Sequence, residues 1–249
     1  MRAGKYLRPF NNKPVRNFGN IESFHSFASL IMTTNDKDTR ERISTRARDL
    51  IMKYGVRSVS MDDIANALGI SKKTIYQYFA DKDELVDAII DSILKFNQER
   101  CTHHRSGAQN AVEEVFKAKQ LLREMFSDMN PSILFDLQKY HPKAFSRFLK
   151  HKNDFLFGLL KSNLEQGIAE ELYRPEINVD ILTRYRLESM MMPFNPDFFS
   201  KHKLLEVEEQ LLELFLFGIV SLKGYKLVLK YKQESEKNAS KYETISKAK

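Results

Sequence analysis

Between Thr39 and Leu94 the apolar residues recur at helical spacing, and the run is cut repeatedly by residues that start or stop helices. Ile43, Ala47, Leu50, Ile51 and Tyr54 fall at i, i+4, i+7, i+8 and i+11, and Gly55 ends the run, which predicts one amphipathic helix of about four turns. Ser60-Met61-Asp62-Asp63 is a near capping box with Asp63 in the Glu position, opening a short helix through Ile64, Ala65 and Leu68 to Gly69. Ser71 can cap a helix over Lys72 to Phe79, and Asp81 with Glu84 opens a longer one through Leu85, Ile89, Ile90, Ile93 and Leu94. Four helices thus fit into fewer than sixty residues.

The remainder also reads helical, over about 110–128, 131–140, 142–171, 178–192 and 203–232, with breaks at Gly107, Pro131, Pro142, Pro175, Pro193 and Pro196. With nine Gly and seven Pro in 249 residues, the chain lacks the tight turns that all-β folds need, and doubly wound folds are disfavoured. The expected class is all-α: a three-helix helix-turn-helix domain followed by a larger helical domain. The lone Cys101 excludes an internal disulfide and a cysteine zinc site, and no apolar stretch reaches the ~18 residues of a membrane span. With no secretory signal in its first residues, the chain is expected in the cytoplasm.

The net charge of +7 is carried by two segments: +4 in residues 1–31 and +5 in 222–249, leaving −2 between them. A basic balance placed this way is weak evidence for nucleic-acid binding. Residues 1–37 show no helical period and hold Gly4, Pro9, Pro14 and Gly19, so they are expected to lack regular structure. Met32 opens a polar lead-in to the first strong helix and reads as a translation start, which would leave 1–31 unmade. The alternative is a basic arm whose Tyr6, Phe10 and Phe18 lie on DNA. The expected divisions are this extension, a DNA-binding domain over 38–86, a larger domain over 87–232 and a fraying basic tail over 233–249.

Two short helices joined through Leu68-Gly69-Ile70-Ser71 have the spacing of a helix-turn-helix, whose second helix enters the DNA major groove. Ala65 permits close approach, Gly69 can take positive φ, and Ile64, Leu68, Ile70, Ile75 and Phe79 form a small core. Those residues specify shape alone and would suit a helical hairpin in any α protein. The opposite face adds chemistry: Lys72 with Tyr76, and Lys73 with Gln77, are i, i+4 neighbours pointing away from Ile75 and Phe79. Lys72, Lys73 and Lys82 each sit in a first helical turn, where the macrodipole disfavours positive charge by ~0.3–1 kcal/mol. A phosphate docked there would make the same lysines favourable partners. The plainer account is that flexible lysines reach back into water.

The stretch resembles the tetracycline-repressor (TetR) family of bacterial transcriptional regulators. The matching residues are Gly55, Ser60-Met61-Asp62-Asp63-Ile64-Ala65, Leu68-Gly69-Ile70-Ser71-Lys72, Thr74-Ile75-Tyr76-Gln77-Tyr78-Phe79 and Lys82-Asp83-Glu84-Leu85. The resemblance covers about residues 39–86. It implies that Ser60, Tyr78 and Lys82 contact phosphates, while Lys72, Lys73, Thr74, Tyr76 and Gln77 face the groove, with Ser71 beside them at the helix start. Lys73, where small residues are frequent in the family, and Val59, often Thr, are departures.

In the larger part, residues 203–222 are apolar on more than one side, so one neighbour cannot cover them; such helices are central in a core or shared with a second subunit. The resemblance implies the second, a homodimer formed mainly by about 178–192 and 203–222, with Leu204, Leu211, Phe215, Gly218 and Leu222 as candidate interface residues. A two-fold dimer would offer two reading helices to a palindromic site of double-stranded DNA. Met125, Phe126, Met129, Phe135, Phe145, Phe148, Phe155, Met190, Met191 and Phe194, with Phe157, Met192, Phe198 and Phe199, read singly as ordinary core. As a set they suit an adaptable apolar pocket, and the resemblance implies a cavity for a small-molecule effector.

No Gly-rich phosphate loop, Gly-x-Ser-x-Gly, His-Glu-x-x-His or paired-Cys motif occurs, so no catalytic residue, cofactor or metal is expected. Adjacent His103 and His104 diverge by about 100° on a helix, and the histidines are expected to face solvent. The leading expectation is a ligand-responsive regulator, a repressor released from DNA by a small apolar or aromatic effector. Its rivals are a sequence-tolerant architectural DNA-binding protein and an all-α enzyme.

Overall fold

The structure, a computed structural model, describes residues 21–127, 129–195 and 201–247. The chain divides into two compact units, residues 1–42 and 43–249. The described residues of the first form the opening of α1 (Ile21–Tyr54). The second continues with α2 (Met61–Leu68), α3 (Lys72–Tyr76), α4 (Lys82–Ser106), α5 (Ala111–Phe126), α6 (Ile133–Tyr140) and α7 (Pro142–His151). After a π-helical turn (Lys152–Leu156) come α8 (Phe157–Ala169), α9 (Val179–Ser189), a 3-10 turn (Met192–Phe194), α10 (Leu204–Ile219) and α11 (Leu222–Lys247). Among the described residues the one β contact is an isolated bridge between Tyr173 and Val220, so the fold is all-α. None of the described helices is long and apolar enough to cross a membrane.

The capping signals work as their chemistry dictates. Ser60 Oγ accepts from the Asp63 amide at 3.1 Å while Asp63 Oδ2 accepts from the Ser60 amide at 2.8 Å, a complete capping box for α2. Ser71 Oγ accepts from the Thr74 amide at 3.0 Å, and Asp81 Oδ1 from the Glu84 amide at 2.8 Å. Gly69 closes α2 with φ +67°, a conformation costly for any residue with a Cβ.

Two cores result. The first joins Ile43, Ala47 and Ile51 of α1 to Ile64, Ile75, Phe79, Leu85 and Ile89, and is closed by Ile133 and Leu137 of α6 and Ala144 of α7. It is therefore larger than the small core read from the helix-turn-helix alone. The second gathers Ala111, Val112, Leu164, Leu172, Tyr173, Leu216, Ile219 and Val228.

Several boundaries differ from the sequence expectation. Residues 21–37 are helical, because Ile21–Tyr54 contains neither Gly nor Pro and nothing interrupts the helix on the N-terminal side of its periodic part. The expectations for Tyr6, Phe10 and Phe18 lie outside the described residues. α3 stops at Tyr76, three residues early, since the Gln77 and Tyr78 amides bond to carbonyls three residues back, tightening the chain toward the Asp81 cap. α4 runs unbroken through the expected domain boundary at 86/87.

The stretch 203–232 is two helices. Val220 is extended and bridges Tyr173, with the Arg174 amide donating to Ile219 O at 2.9 Å and the Ser221 amide to Leu172 O at 2.9 Å. A Cβ on Gly224 would lie 2.0 Å from the Leu172 carbonyl oxygen, so a glycine lets the restarted helix seat there. α11 continues to Lys247 through the segment expected to fray.

Candidate nucleic-acid interface and internal cavity

The surface of α2 and α3 separates the candidate DNA contacts into two groups. Lys73, Tyr76 and Gln77 are exposed side by side on α3 and its C-terminal edge. The others have partners within the chain. Lys72 Nζ donates to Asp62 at 2.7 Å, which raises its pKa above the usual lysine value. Ser60 hydrogen-bonds Asp63 at 2.6 Å, and Ser71 Oγ lies 2.8 Å from Thr74 Oγ1. Tyr78 is half-buried against the first core. Lys82 is also half-buried, its Nζ donating to Val56 O at 2.6 Å, and burial pulls its pKa down. Two of the three lysines in first turns thus have internal counter-groups, so the charge anomaly is smaller than the sequence suggests.

Lys82 also marks how this surface is held from behind. The loop from Gly55 to Val59 leads from α1 into α2 and is gripped by the segment opening α6. The Arg57 amide donates to Asp136 Oδ2 at 3.1 Å, and the Asn130 amide to Met52 O at 2.7 Å. Gly55 turns with φ +87°, and a Cβ there would meet Ser132 Oγ at 2.9 Å. Further along, His141 pairs with Asp83 at 2.7 Å, and Arg147 with Asp87 and Asp91 at 2.7 and 2.8 Å, tying α7 to α4. None of these polar clamps was anticipated from the sequence, since Arg57 and Asp136 lie 79 residues apart, Arg147 and Asp91 lie 56 apart, and none carries a local motif.

Behind α6 lies a cavity of about 200 Å³ walled almost entirely by Leu, Ile, Met and Phe. Of the pocket candidates, Met125, Phe126, Met129, Phe148, Met190, Met191 and Phe194 line it. Phe135, Phe145 and Phe155 do not. Phe135 is exposed beneath Lys139 one turn on, and Phe145 packs on the first core. Phe155 stacks on His151 with ring centroids 5.1 Å apart. The π turn explains that displacement: its extra residue shifts the helical phase, so Leu156 takes the wall position that α-helical counting from Phe148 assigns to Phe155. Phe198 and Phe199 lie outside the described residues.

The sequence reading also missed the wall's polar members, Asn97, Cys101, His151, Asn163 and Arg186. Contrary to the expectation of solvent-facing histidines, His141 and His151 are buried. His151 stands three residues beyond Phe148 on one apolar stripe, a signal that was available. Burial lowers the pKa of His151 and pushes the Cys101 thiol up to about 11. Arg186 and Glu208 form an ion pair sealed between α9 and α10, each no more than 2% exposed. Among the described residues no cluster of three or more His, Cys, Asp or Glu could hold a metal.

Of the candidate interface residues, Leu204 packs with Phe126 and Phe194, and Phe215 lines the cavity, so both pack inside the chain itself. Leu211 is half-buried, whereas Gly218 and Leu222 are exposed.

A capped helix pair thus carries an exposed Lys73-Tyr76-Gln77 edge and is backed by an apolar chamber. Residues 43–89 match the family model of bacterial regulatory proteins, tetR family. Over this stretch the chain carries a tetR-type DNA-binding helix-turn-helix. The chain is 28% identical over 187 residues to the uncharacterized HTH-type transcriptional regulator YvaF of Bacillus subtilis, covering 73% of this chain and 95% of that one. It is 22% identical over 142 residues to the HTH-type transcriptional repressor KstR2 of Mycobacterium tuberculosis, covering 56% and 71%. Its fold matches a TetR-family regulator from Agrobacterium tumefaciens with a TM-score of 0.64 at 16% identity, over 75% of this chain and all of that one. A regulator from Saccharomonospora viridis in complex with choline matches with a TM-score of 0.61 at 18% identity, over 74% and 99%.

Proposed function

We propose that this regulator is a ligand-responsive repressor that binds a palindromic operator as a homodimer and is released by a small apolar or aromatic effector entering the cavity. The observation that carries the reading is the double role of α6. Ile133, Leu134 and Leu137 form part of the cavity wall, while Asp136 of the same two turns holds the Arg57 amide in the loop entering α2. A ligand that fits only when these wall residues move apart would favour a conformer in which that loop, and with it the reading helix, has shifted. Its effect is bounded by its differential affinity for the two states; a swing from 1:99 to 99:1 needs about 5.5 kcal/mol.

Dimer formation is supported by apolar side chains left exposed on the last helices: Ile181 and Tyr185 on α9, Leu214 on α10, and Leu222, Tyr225 and Leu229 on α11. Their continuation across three consecutive helices suits a partner surface of the same kind. Lys73, Tyr76 and Gln77 are the groove-facing residues of choice, because they are exposed. Lys72 and Lys82 reach phosphate only by exchanging Asp62 and Val56 O for it.

The test is genome-wide mapping of bound DNA, with transcription of the flanking genes measured in the presence and absence of the protein. A sharp pseudo-palindromic footprint, with flanking genes rising when the protein is removed, is expected. Binding spread without sequence preference would identify an architectural protein, and falling transcription an activator.

A further inference from the structure

The polar side chains on the cavity wall are not equally occupied. Arg186 is paired with Glu208 and donates to Ser189 Oγ at 3.1 Å. Asn163 Nδ2 donates to Ala111 O at 3.0 Å and to Glu114 at 2.9 Å. Asn97 differs. Its Oδ1 faces His151 Nε2 at 3.1 Å and accepts from the Cys101 thiol at 3.7 Å. Its Nδ2 carries two hydrogens, and among the described residues its partner is the thioether sulfur of Met125 at 3.3 Å, a weak acceptor. Met125 itself lines the cavity and has the freedom to swing away.

The amide cannot profitably turn over. With Oδ1 toward His151 and Cys101 it accepts from the thiol, and from the imidazole when Nε2 carries the ring proton. The imidazole is fixed in turn by stacking on Phe155, and its Nδ1 is buried without a partner. Asn97 is therefore a pre-aimed donor in an apolar chamber. Among the described residues the chamber wall offers no unpaired charge: the Arg186 guanidinium is cancelled by Glu208, so an ionised ligand would lose its hydration and gain no counter-ion from them. At about 200 Å³ it exceeds the roughly 150 Å³ that accommodates benzene.

We propose that the cavity takes an uncharged, mainly aromatic or hydrocarbon ligand with one acceptor oxygen, a carbonyl foremost, which receives the Asn97 Nδ2 hydrogen in place of the Met125 sulfur. This rests on the effector-cavity reading and adds the ligand's chemical class.

The test uses the full chain and four naphthalene probes of similar size: 2-acetylnaphthalene, 2-ethylnaphthalene, 2-naphthoate and a naphthyl-trimethylammonium salt, titrated calorimetrically at pH 7.5. The ketone is expected to bind about three- to tenfold tighter than the ethyl compound, and both tighter than either ion. In Asn97→Leu the ketone preference should vanish while 2-ethylnaphthalene still binds. Met125→Leu, a volume-conserving change that leaves the amide in place, should keep the preference or enlarge it. Equal binding of ketone and ethyl probes to the unmodified chain, a preference that survives Asn97→Leu, or tightest binding of either ion would overturn the ligand class and leave the effector cavity standing. Should Asn97→Leu fail to fold, loss of the preference in Met125→Leu overturns the proposal. Absence of binding by all four probes would overturn the effector-cavity reading with it.

Discussion

The helix-turn-helix and the cavity region are built on opposite principles within one chain. In the first, each short helix begins on a side-chain cap, from Ser60, Ser71 or Asp81, and Ile64, Ile75 and Leu85 are fully buried. In the second, Asn110 and Asn178 cap α5 and α9, but α6, α7, α8 and α10 begin without a side-chain cap, a π turn interrupts one helix, and the centre is hollow. Dense packing and satisfied ends favour a stiff reading head. A void bordered by Met and Phe can be filled or reshaped at lower cost, because fewer contacts are lost. The division suits a device in which one part must change shape and the other must only be repositioned.

That contrast is broken most forcefully by truncating each wall. Ile75→Ala is expected to destabilise by about 2–5 kcal/mol, because the collapsed packing around it has little room to relax. Leu156→Ala, at a half-buried position beside an existing void, is expected to cost less than about 2 kcal/mol. Urea unfolding followed by circular dichroism decides this, and equal losses would show that the cavity region is as tightly packed as the reading head. Next in size is Asp136→Ala, which strands the Arg57 amide; about 1–3 kcal/mol of stability should go with it. Operator affinity in this variant should respond less to cavity ligands. An unchanged ligand response would mean that the coupling runs elsewhere, through the α4–α7 ion pairs.

The difference between the regions also decided what could be read from residues alone. Capping and turn chemistry are local, so Ser60-Asp63, Gly69, Ser71 and Asp81-Glu84 disclosed the helix-turn-helix to within a few residues. The π turn has no local Gly or Pro signature over His151 to Leu156, and packing around the cavity selects the extra residue. Phe155 was misassigned for that reason. Asp136, Asn97 and His151 are ordinary surface-type residues in sequence. Their roles come from partners tens of residues away, as does the break at Val220, which Leu172 and Arg174 impose from outside the helix. Exposed Phe135 shows the complementary error, since an aromatic at helical spacing does not disclose which face is covered.

On the DNA side the effects are smaller and separable. Gln77→Ala is expected to relax preference at one base pair, with a loss of about 1–3 kcal/mol for the cognate site in a binding-site selection assay. Lys73→Ala, at a groove-facing residue, should weaken binding to the cognate site more than to unrelated duplexes. Lys82→Ala offers a contrast, because Lys82 serves Val56 O inside the protein. It should lower thermal stability as well as affinity, whereas Lys73→Ala should leave stability unchanged. Equal behaviour of the two would mean that Lys82 leaves its carbonyl for phosphate.

The weakest expected effect is also the one that separates the two regions by acidity. Burial holds His151 below its ordinary value of 6.5, so between those values the unfolded chain binds more protons than the folded one. Stability then falls as pH drops below about 6.5 and levels off once the folded-state value is passed. His104, lowered by burial and by Arg100, contributes with the same sign. In the reading head the corresponding group is Asp63, held below 3.8 by its hydrogen bonds from Ser60; its contribution persists down to that pH and is lost only below it. Urea midpoints between pH 7.5 and 5.5 should therefore decline through the cavity region's histidines while the caps remain intact. His151→Gln should remove part of that decline, and His104→Gln another part. An acid loss unaltered by either substitution would place the sensitive groups outside the cavity region and remove this distinction between the two bodies.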